Sequence, residues 1–265
     1  MQNAQISLFD LEKTVPHDTA ANLIPFPEKP HTVSRKPHKA QPITDKDVLA
    51  SIKQALLSST GRYGLRNYTI FVLALNTGLR MNDVLNVHLR DIWDFAHQTI
   101  LPSFSIKESK TGKYADNITL SESTQSTLKE YILTMKHRTP DTPLFPSQKK
   151  VPKSHRPTTI HSLSGELIAS HSPNKNDTGC MERKSYWRIL HSVALTLGVQ
   201  VSCHTPRKTF ARFIYDSYKG SLVENQFTAL DLVQQMLRHS SSAITLRYIG
   251  ITDEIHNAIY SSMEL

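Results

Sequence analysis

A chain of 265 residues, 38% of them hydrophobic, sets 31 Lys and Arg against 23 Asp and Glu, giving a formal charge of +8 in a length that suits one fairly large domain. No apolar run approaches the roughly 20 residues of a membrane helix, and the N-terminus lacks the basic-then-apolar order of an export signal, so a cytoplasmic protein is expected. Cys180 and Cys203 form no CxxC pair, which excludes a disulfide framework and an all-thiolate zinc site, while the basic excess favours a polyanionic partner.

Residues 1–41 are proline-rich, contain no glycine and show no sustained apolar period. With a basic knot at Arg35, Lys36 and Lys39, they read as a disordered tail. Folded structure is expected from Ile43-Thr44-Asp45-Lys46-Asp47-Val48, with Thr44 capping a helix, Ile43 stapled onto Val48, and Val48, Ile52 and Leu56 buried. A second helix, Leu65 to Asn76, is apolar on most sides and belongs at the domain centre, with Gly78 closing it. From Ile92 to Leu120 the pattern turns to short β-rich pieces around Ser109-Lys110-Thr111-Gly112-Lys113, which predict a small antiparallel sheet with a hairpin turn. A helix from Ser123 to Lys136 precedes a Pro-, Ser-, Lys- and His-rich stretch to Thr178, read as a long loop over DNA and holding Lys149, Lys150, Lys153 and Arg156. Helices then run over Glu182 to Leu197, Pro206 to Tyr218, Ala229 to Leu237, Ser242 to Ile249 and Asp253 to Met263. The fold class is mainly α with a small antiparallel β-sheet (α+β), in a domain spanning 42–265.

Three separated patches carry candidate chemistry. In Asn76-Thr77-Gly78-Leu79-Arg80-Met81-Asn82-Asp83, a glycine-ended helix delivers Arg80, and i,i+3 spacing lets Asp83 support it. In His204-Thr205-Pro206-Arg207, the histidine and arginine lie three apart around a helix start, with proline at its favoured early position. In Leu237-Arg238-His239 followed by Tyr248, a short helix brings a tyrosine back beside a histidine. Each patch alone is common: a surface Arg–Asp pair, a chance HxxR, a tyrosine on a core or rim helix.

Together and in this order, with the Lys110 hairpin between the first two, they resemble the tyrosine recombinase/integrase family, the class of phage lambda integrase. Leu144-Phe145-Pro146-Ser147 and Tyr186-Trp187-Arg188-Ile189-Leu190 add to a resemblance running from Ile43 to Tyr248. The resemblance implies the catalytic-domain fold of that family and a site-specific DNA recombinase working through a 3′-phosphotyrosyl intermediate. It makes Arg80 and Arg207 the phosphate-gripping arginines, Lys110 the acid for the leaving 5′ oxygen, His204 and His239 the phosphate and proton-transfer histidines, and Tyr248 the nucleophile. Lys107 and Lys113 rival Lys110, which sits in the family-like Glu108-Ser109-Lys110-Thr111-Gly112.

The chemistry needs neither metal nor cofactor. A phenol of pKa about 10 is a poor nucleophile towards an anionic phosphodiester, and two bidentate guanidinium groups both neutralise the phosphate and stabilise the charge of its transition state. No GxxxxGK[ST] loop for a nucleotide occurs. His155, His161 and His171 near Cys180 match no zinc-ligand spacing.

Two departures qualify the family pattern. Lys219 to Asn225 lengthens the stretch between Arg207 and His239, and the usual helical core-binding domain has only the 1–41 tail in its place. The basic tail, the 149–156 patch or another protein would then supply the missing grip on double-stranded DNA. Gln5-Ile6-Ser7-Leu8-Phe9 resembles the peptide that docks on the bacterial sliding clamp, with Gln5, Leu8 and Phe9 as contacts. Ile255, Ile259 and Met263 at four-residue spacing suit either packing in cis or, by resemblance, docking on a neighbour in a homo-tetramer. Two rival readings are a DNA-binding regulator that has lost cutting, and a type IB topoisomerase with the same tyrosyl chemistry.

Overall fold

The computed structural model describes residues 40–58, 61–148, 159–161, 167–170, 179–220, 227–252 and 260–261. Helix α1 (Lys46–Ser58) begins where the carboxylate of Asp45, not the hydroxyl of Thr44, accepts from the backbone N–H groups of Asp47 and Val48 at 2.8 and 3.2 Å. An ionised cap adds a favourable charge at the positive helix end, which the neutral Thr44 does not. Ile43 enters the core, and its N–H donates to Thr209 Oγ1 at 2.9 Å.

Helix α2 (Gly64–Thr77) is the central element expected of its all-round apolar sequence, and packs on α1, α5 and α7. Ile70, Phe71 and Leu73 are fully buried on it. Gly64 lets α1 come so close that a Cβ there would lie 1.9 Å from the Leu57 carbonyl oxygen. Gly78 ends α2 in the left-handed conformation, φ 61°, with its N–H on Ala74 O at 3.2 Å.

Short helices α3 (Met81–Leu85) and α4 (Leu89–Ile92) lead into antiparallel pairs, β1 (Trp93–Asp94) with β2 (Thr99–Ile100) and β3 (Ser103–Lys107) with β4 (Tyr114–Thr119). Along β3 the side chains alternate, with Phe104 and Ile106 facing the core opposite Ile118 and Ala115. The register slips by one residue between Phe104 and Ile106, where Asn117, φ 52°, forms the bulge. Helix α5 (Glu122–Leu133) is capped by Ser121, whose Oγ accepts from Thr124 N.

Within the stretch read from sequence as loop, β5 (Thr159–His161) pairs antiparallel with β6 (Leu167–Ser170), a correction to that reading. At three and four residues, Thr-Ile-His and Leu-Ile-Ala-Ser are too short to show an apolar alternation from which strands could be inferred. The remaining helices, α6 (Arg183–Thr196), α7 (Thr205–Tyr218), α8 (Ala229–Leu237) and α9 (Ser242–Ile249), match their expected spans within one residue. Most of the expected helix over Asp253 to Met263 lies outside the described residues.

The apolar interior forms two clusters. The larger gathers α1 to α6 and strands β1 to β4; the smaller consists of Phe210, Ala211, Val233, Leu237, Ile249 and Ile251, from α7, α8, α9 and the residues following it. No helix among the described residues is long and apolar enough to cross a membrane.

Candidate active site

The site is built on helix ends. Gly78 turns the chain out of α2, and Arg80, in extended conformation at the N-cap of α3, projects from the step between the two helices. The turn has no room for a side chain, since a Cβ on Gly78 would lie 2.3 Å from Cδ1 of Phe210. One turn into α7, Arg207 is only 2% exposed. Its Nη1 donates to Gly78 O at 2.5 Å and its Nη2 to Leu237 O at 2.7 Å, so one guanidinium joins the C-terminal ends of α2 and α8. Both carbonyls lie at the negative ends of their helices, which suits a buried cation.

Arg80 finds its counter-charge on the hairpin. Its Nη1 is 2.9 Å from Glu108 Oε2, off the direction a hydrogen bond requires. The sequence reading gave this role to Asp83. In the structure Asp83 Oδ1 instead accepts from the N–H and hydroxyl of Ser109 at 2.8 and 2.6 Å, because α3 turns its inner face to the hairpin. Glu108, 1% exposed, also accepts from Thr111 Oγ1 at 2.7 Å and meets Arg238 Nη1 at 3.4 Å. Burial pushes its carboxyl pKa up, but the hydrogen bond from Thr111, the close guanidinium of Arg80 and the charge of Arg238 outweigh that and leave it below the usual value. Lys110, Lys107 and Lys113 are exposed on the same hairpin.

His239 and Tyr248 come together as their spacing implied. Their rings meet edge to face, with centroids 5.0 Å apart. Tyr248 Oη is buried and makes no hydrogen bond among the described residues. Burial raises the phenol pKa, and Arg207, acting through its charge and through its closeness to the hydroxyl, together with the charge of Arg80 pulls it back only in part. Lys208, itself buried, places its Nζ 5.1 Å from the Tyr248 ring centroid.

The two histidines stay neutral for the same reason. Burial and the positive charges of Arg207 and Arg80 push His239 down to about 4. Its Nδ1 lies 3.1 Å from Thr245 Oγ1, whose own hydroxyl bonds Ser241 O at 3.2 Å. With that hydroxyl donating to Ser241, Nδ1 must carry the hydrogen and Nε2 is left as the acceptor. His204, at the N-cap of α7, is exposed on one side but is lowered by partial desolvation and then by Arg183, Arg207, Lys208 and Arg80. Its backbone is set by a turn in which Ser202 Oγ accepts from His204 N at 3.0 Å.

The structure therefore links Arg80, Arg207, His239 and Tyr248 through shared contacts and electrostatic influence, places His204 within reach of the same charges, and hangs Lys110 on the hairpin tied to Arg80. Sequence reasoning did not single out Glu108, Arg238 and Lys208. The inward period of β3 runs on through Phe104, Ile106 and Glu108, and was a signal that this carboxylate faces the core. Arg35, Lys36, Lys39, Lys149, Lys150, Lys153 and Arg156, together with Gln5, Leu8 and Phe9, lie outside the described residues. Among the described residues no group of His, Cys, Asp and Glu is placed to hold a metal ion.

Helical domains with a small antiparallel sheet of this arrangement define the catalytic fold of tyrosine recombinases. XerH site-specific recombinase, in a post-cleavage complex with palindromic difH substrate, superposes with a TM-score of 0.51 at 16% identity over 84% of this chain and 54% of its own. XerA recombinase superposes at 0.50, with 18% identity over 86% and 68%. The Phage integrase family profile matches residues 42–254, and the chain belongs to that family. A probable integrase/recombinase of Bacillus subtilis, YoeC, is 28% identical over 84% of this chain and 96% of its own length. Tyrosine recombinase XerS of Streptococcus gordonii is 23% identical over 81% of this chain, a match that takes in 50% of the longer relative.

Proposed function

We propose that this chain is a site-specific DNA recombinase that cuts and rejoins strands with Tyr248 as nucleophile. The observation that carries the reading is the buried Tyr248 Oη, which has no well-aligned hydrogen-bond partner among the described residues, beside Arg207 and a neutral His239. A hydroxyl left unsatisfied in the interior costs about 1–3 kcal/mol, a cost that a bound phosphate relieves.

In this reading a DNA phosphate takes the donors of Arg80 and Arg207 that the protein does not fill, and the two guanidinium groups stabilise the charge of the pentavalent transition state. Tyr248 Oη attacks phosphorus and the bond to the 5′ oxygen breaks. Lys110 delivers a proton to that oxygen, leaving a 3′-phosphotyrosyl link and a free 5′ hydroxyl. The phenol proton passes to an imidazole, for which both His204 and His239 are in the right state at neutral pH. The approaching phosphate anion raises the histidine pKa, so a ring that accepts a proton during attack becomes a donor to the phosphate oxygens. A 5′ hydroxyl from a second strand reverses the steps and religates without ATP. Grip on double-stranded DNA through the basic residues of 35–39 and 149–156, and assembly as a tetramer through the C-terminal segment, belong to the same proposal.

The test is incubation of wild type and Tyr248→Phe in EDTA with supercoiled plasmid carrying DNA from the chain's own genetic neighbourhood. An SDS-resistant adduct at DNA 3′ ends, formed by wild type alone, is expected. Adduct from both proteins would assign the nucleophile elsewhere, and salt-sensitive binding with no adduct from either would favour a non-cutting regulator.

A further inference from the structure

The main anchors of the turn that carries Lys110 close on one of two buried acids, beside one internal bond from Lys113 N to Thr111 Oγ1 at 3.3 Å. Ser109 is held through its N–H and hydroxyl by Asp83, which is 3% exposed. The rest closes on Glu108: its N–H donates to Lys113 O at 2.8 Å, its carbonyl accepts from Gly112 N at 2.9 Å, and its carboxylate accepts from Thr111 Oγ1. Lys110 stands between these anchors, exposed, and its side chain has no partner of its own among the described residues.

The same carboxylate reaches out of the hairpin. Its Oε2 faces Arg80 on the step into α3, and its Oε1 faces Arg238, the neighbour of His239. One side chain thus touches the element bearing the first arginine, the residue before the later histidine and the turn bearing the lysine. A buried carboxylate is an unexpected occupant of a site meant for a phosphate, since it repels the ligand and competes for Arg80. Two adjacent arginines already attract phosphate without it. Its contribution therefore lies in geometry, because a lysine on an exposed turn must be held against a leaving oxygen to within a fraction of an ångström.

The geometry points to Glu108 as a positioning residue that registers the Lys110 turn against Arg80, so that general acid and phosphate-binding cation arrive as one unit. This rests on the recombinase reading above, with Lys110 as the proton donor to the 5′ oxygen. Losing Glu108 should leave DNA binding intact or tighter, since a negative charge is removed, while slowing the protonation of the leaving group.

The test uses duplexes with the scissile bond mapped by the adduct experiment, carrying either the ordinary 5′ oxygen or a bridging 5′ sulfur. A thiolate leaves without a proton, so the sulfur substrate does not need the acid. For Glu108→Gln, which keeps shape and removes charge, cleavage of the ordinary bond should fall about 100-fold, and cleavage of the sulfur substrate should stay within about threefold of wild type. Lys110→Ala should show the same rescue. Thr111→Val, an exposed change that removes one anchor, should give a weaker form of the same pattern and carries the test should Glu108→Gln not fold. Equal slowing on both substrates, in a variant that binds DNA and keeps its near-UV dichroism, would overturn the inference by assigning Glu108 to the arginines alone. Unchanged cleavage of the ordinary bond would overturn it as well. Failure of wild type to cut either duplex would overturn the recombinase reading and the inference together, whereas wild-type cutting with an unrescued variant sinks the inference alone.

Discussion

At the scale of single residues, the candidate site holds groups that folding alone does not favour. Tyr248 Oη is buried and unsatisfied, so Tyr248→Phe should be at least as stable as wild type, by up to about 1–3 kcal/mol in urea unfolding, while losing adduct formation. A less stable variant would show that the hydroxyl is bonded in the folded protein. Acid sensitivity has its origin in the same place. His239 is held at about 4 in the folded chain against 6.5 ordinarily, so between those values the unfolded chain binds more protons and unfolding gains. Its contribution is complete above pH 6.5 and is lost as pH falls towards 4. Glu108, lowered from 4.5, stabilises the fold above that pH and loses its effect as pH drops through the folded value. His239→Gln should therefore flatten the decline of the urea midpoint from pH 6.5 to 4, and an unaltered decline would place the titrating group elsewhere.

At the scale of elements, Gly78 is where local conformation and site geometry meet. Gly78→Ala forces a Cβ into a residue at φ 61° and against the Phe210 ring, and displaces the carbonyl that Arg207 holds. A loss of about 1–3 kcal/mol is expected, with cleavage falling further than stability, as measured by unfolding and adduct formation on the same preparation. Much at this level was legible in the sequence. The apolar circumference of α2, the Gly78 that closes it and the Pro206 start of α7 all follow from chemistry a few residues away. What escaped depended on partners far along the chain. Asp83 has two candidate neighbours, Arg80 by helical spacing and Ser109 across 26 residues, and only the packing of α3 on the hairpin decides between them. Arg238 ends α8 in the left-handed conformation at φ 54° where a glycine signal was missing, so nothing local announced that its side chain meets Glu108 130 residues away. Lys208, beside Arg207, had no signal of its own as one more basic residue of a basic chain, yet it is buried with its neighbour at the start of α7.

At the scale of the molecule, the site straddles those two clusters. Arg80 and the lysine hairpin stand on the larger one, while His239 and Tyr248 stand on α8 and α9, whose buried share is a few side chains. The smaller cluster should open first, so native-state hydrogen exchange should show amides of α8 and α9 less protected than those of α2. Arg207→Lys should widen the difference by about 1–3 kcal/mol, because an ammonium cannot reproduce the paired guanidinium bonds to Gly78 O and Leu237 O. Equal protection in both regions would mean that the clusters unfold as one. The two bonds of Arg207 also bear on heredity. Its partners are main-chain oxygens, present whatever amino acids supply them, so substitutions at neighbouring positions cannot delete them while the two helices still end where they do. The placement of this cation is thus encoded in backbone shape, and lineages can exchange the surrounding side chains widely and still inherit it.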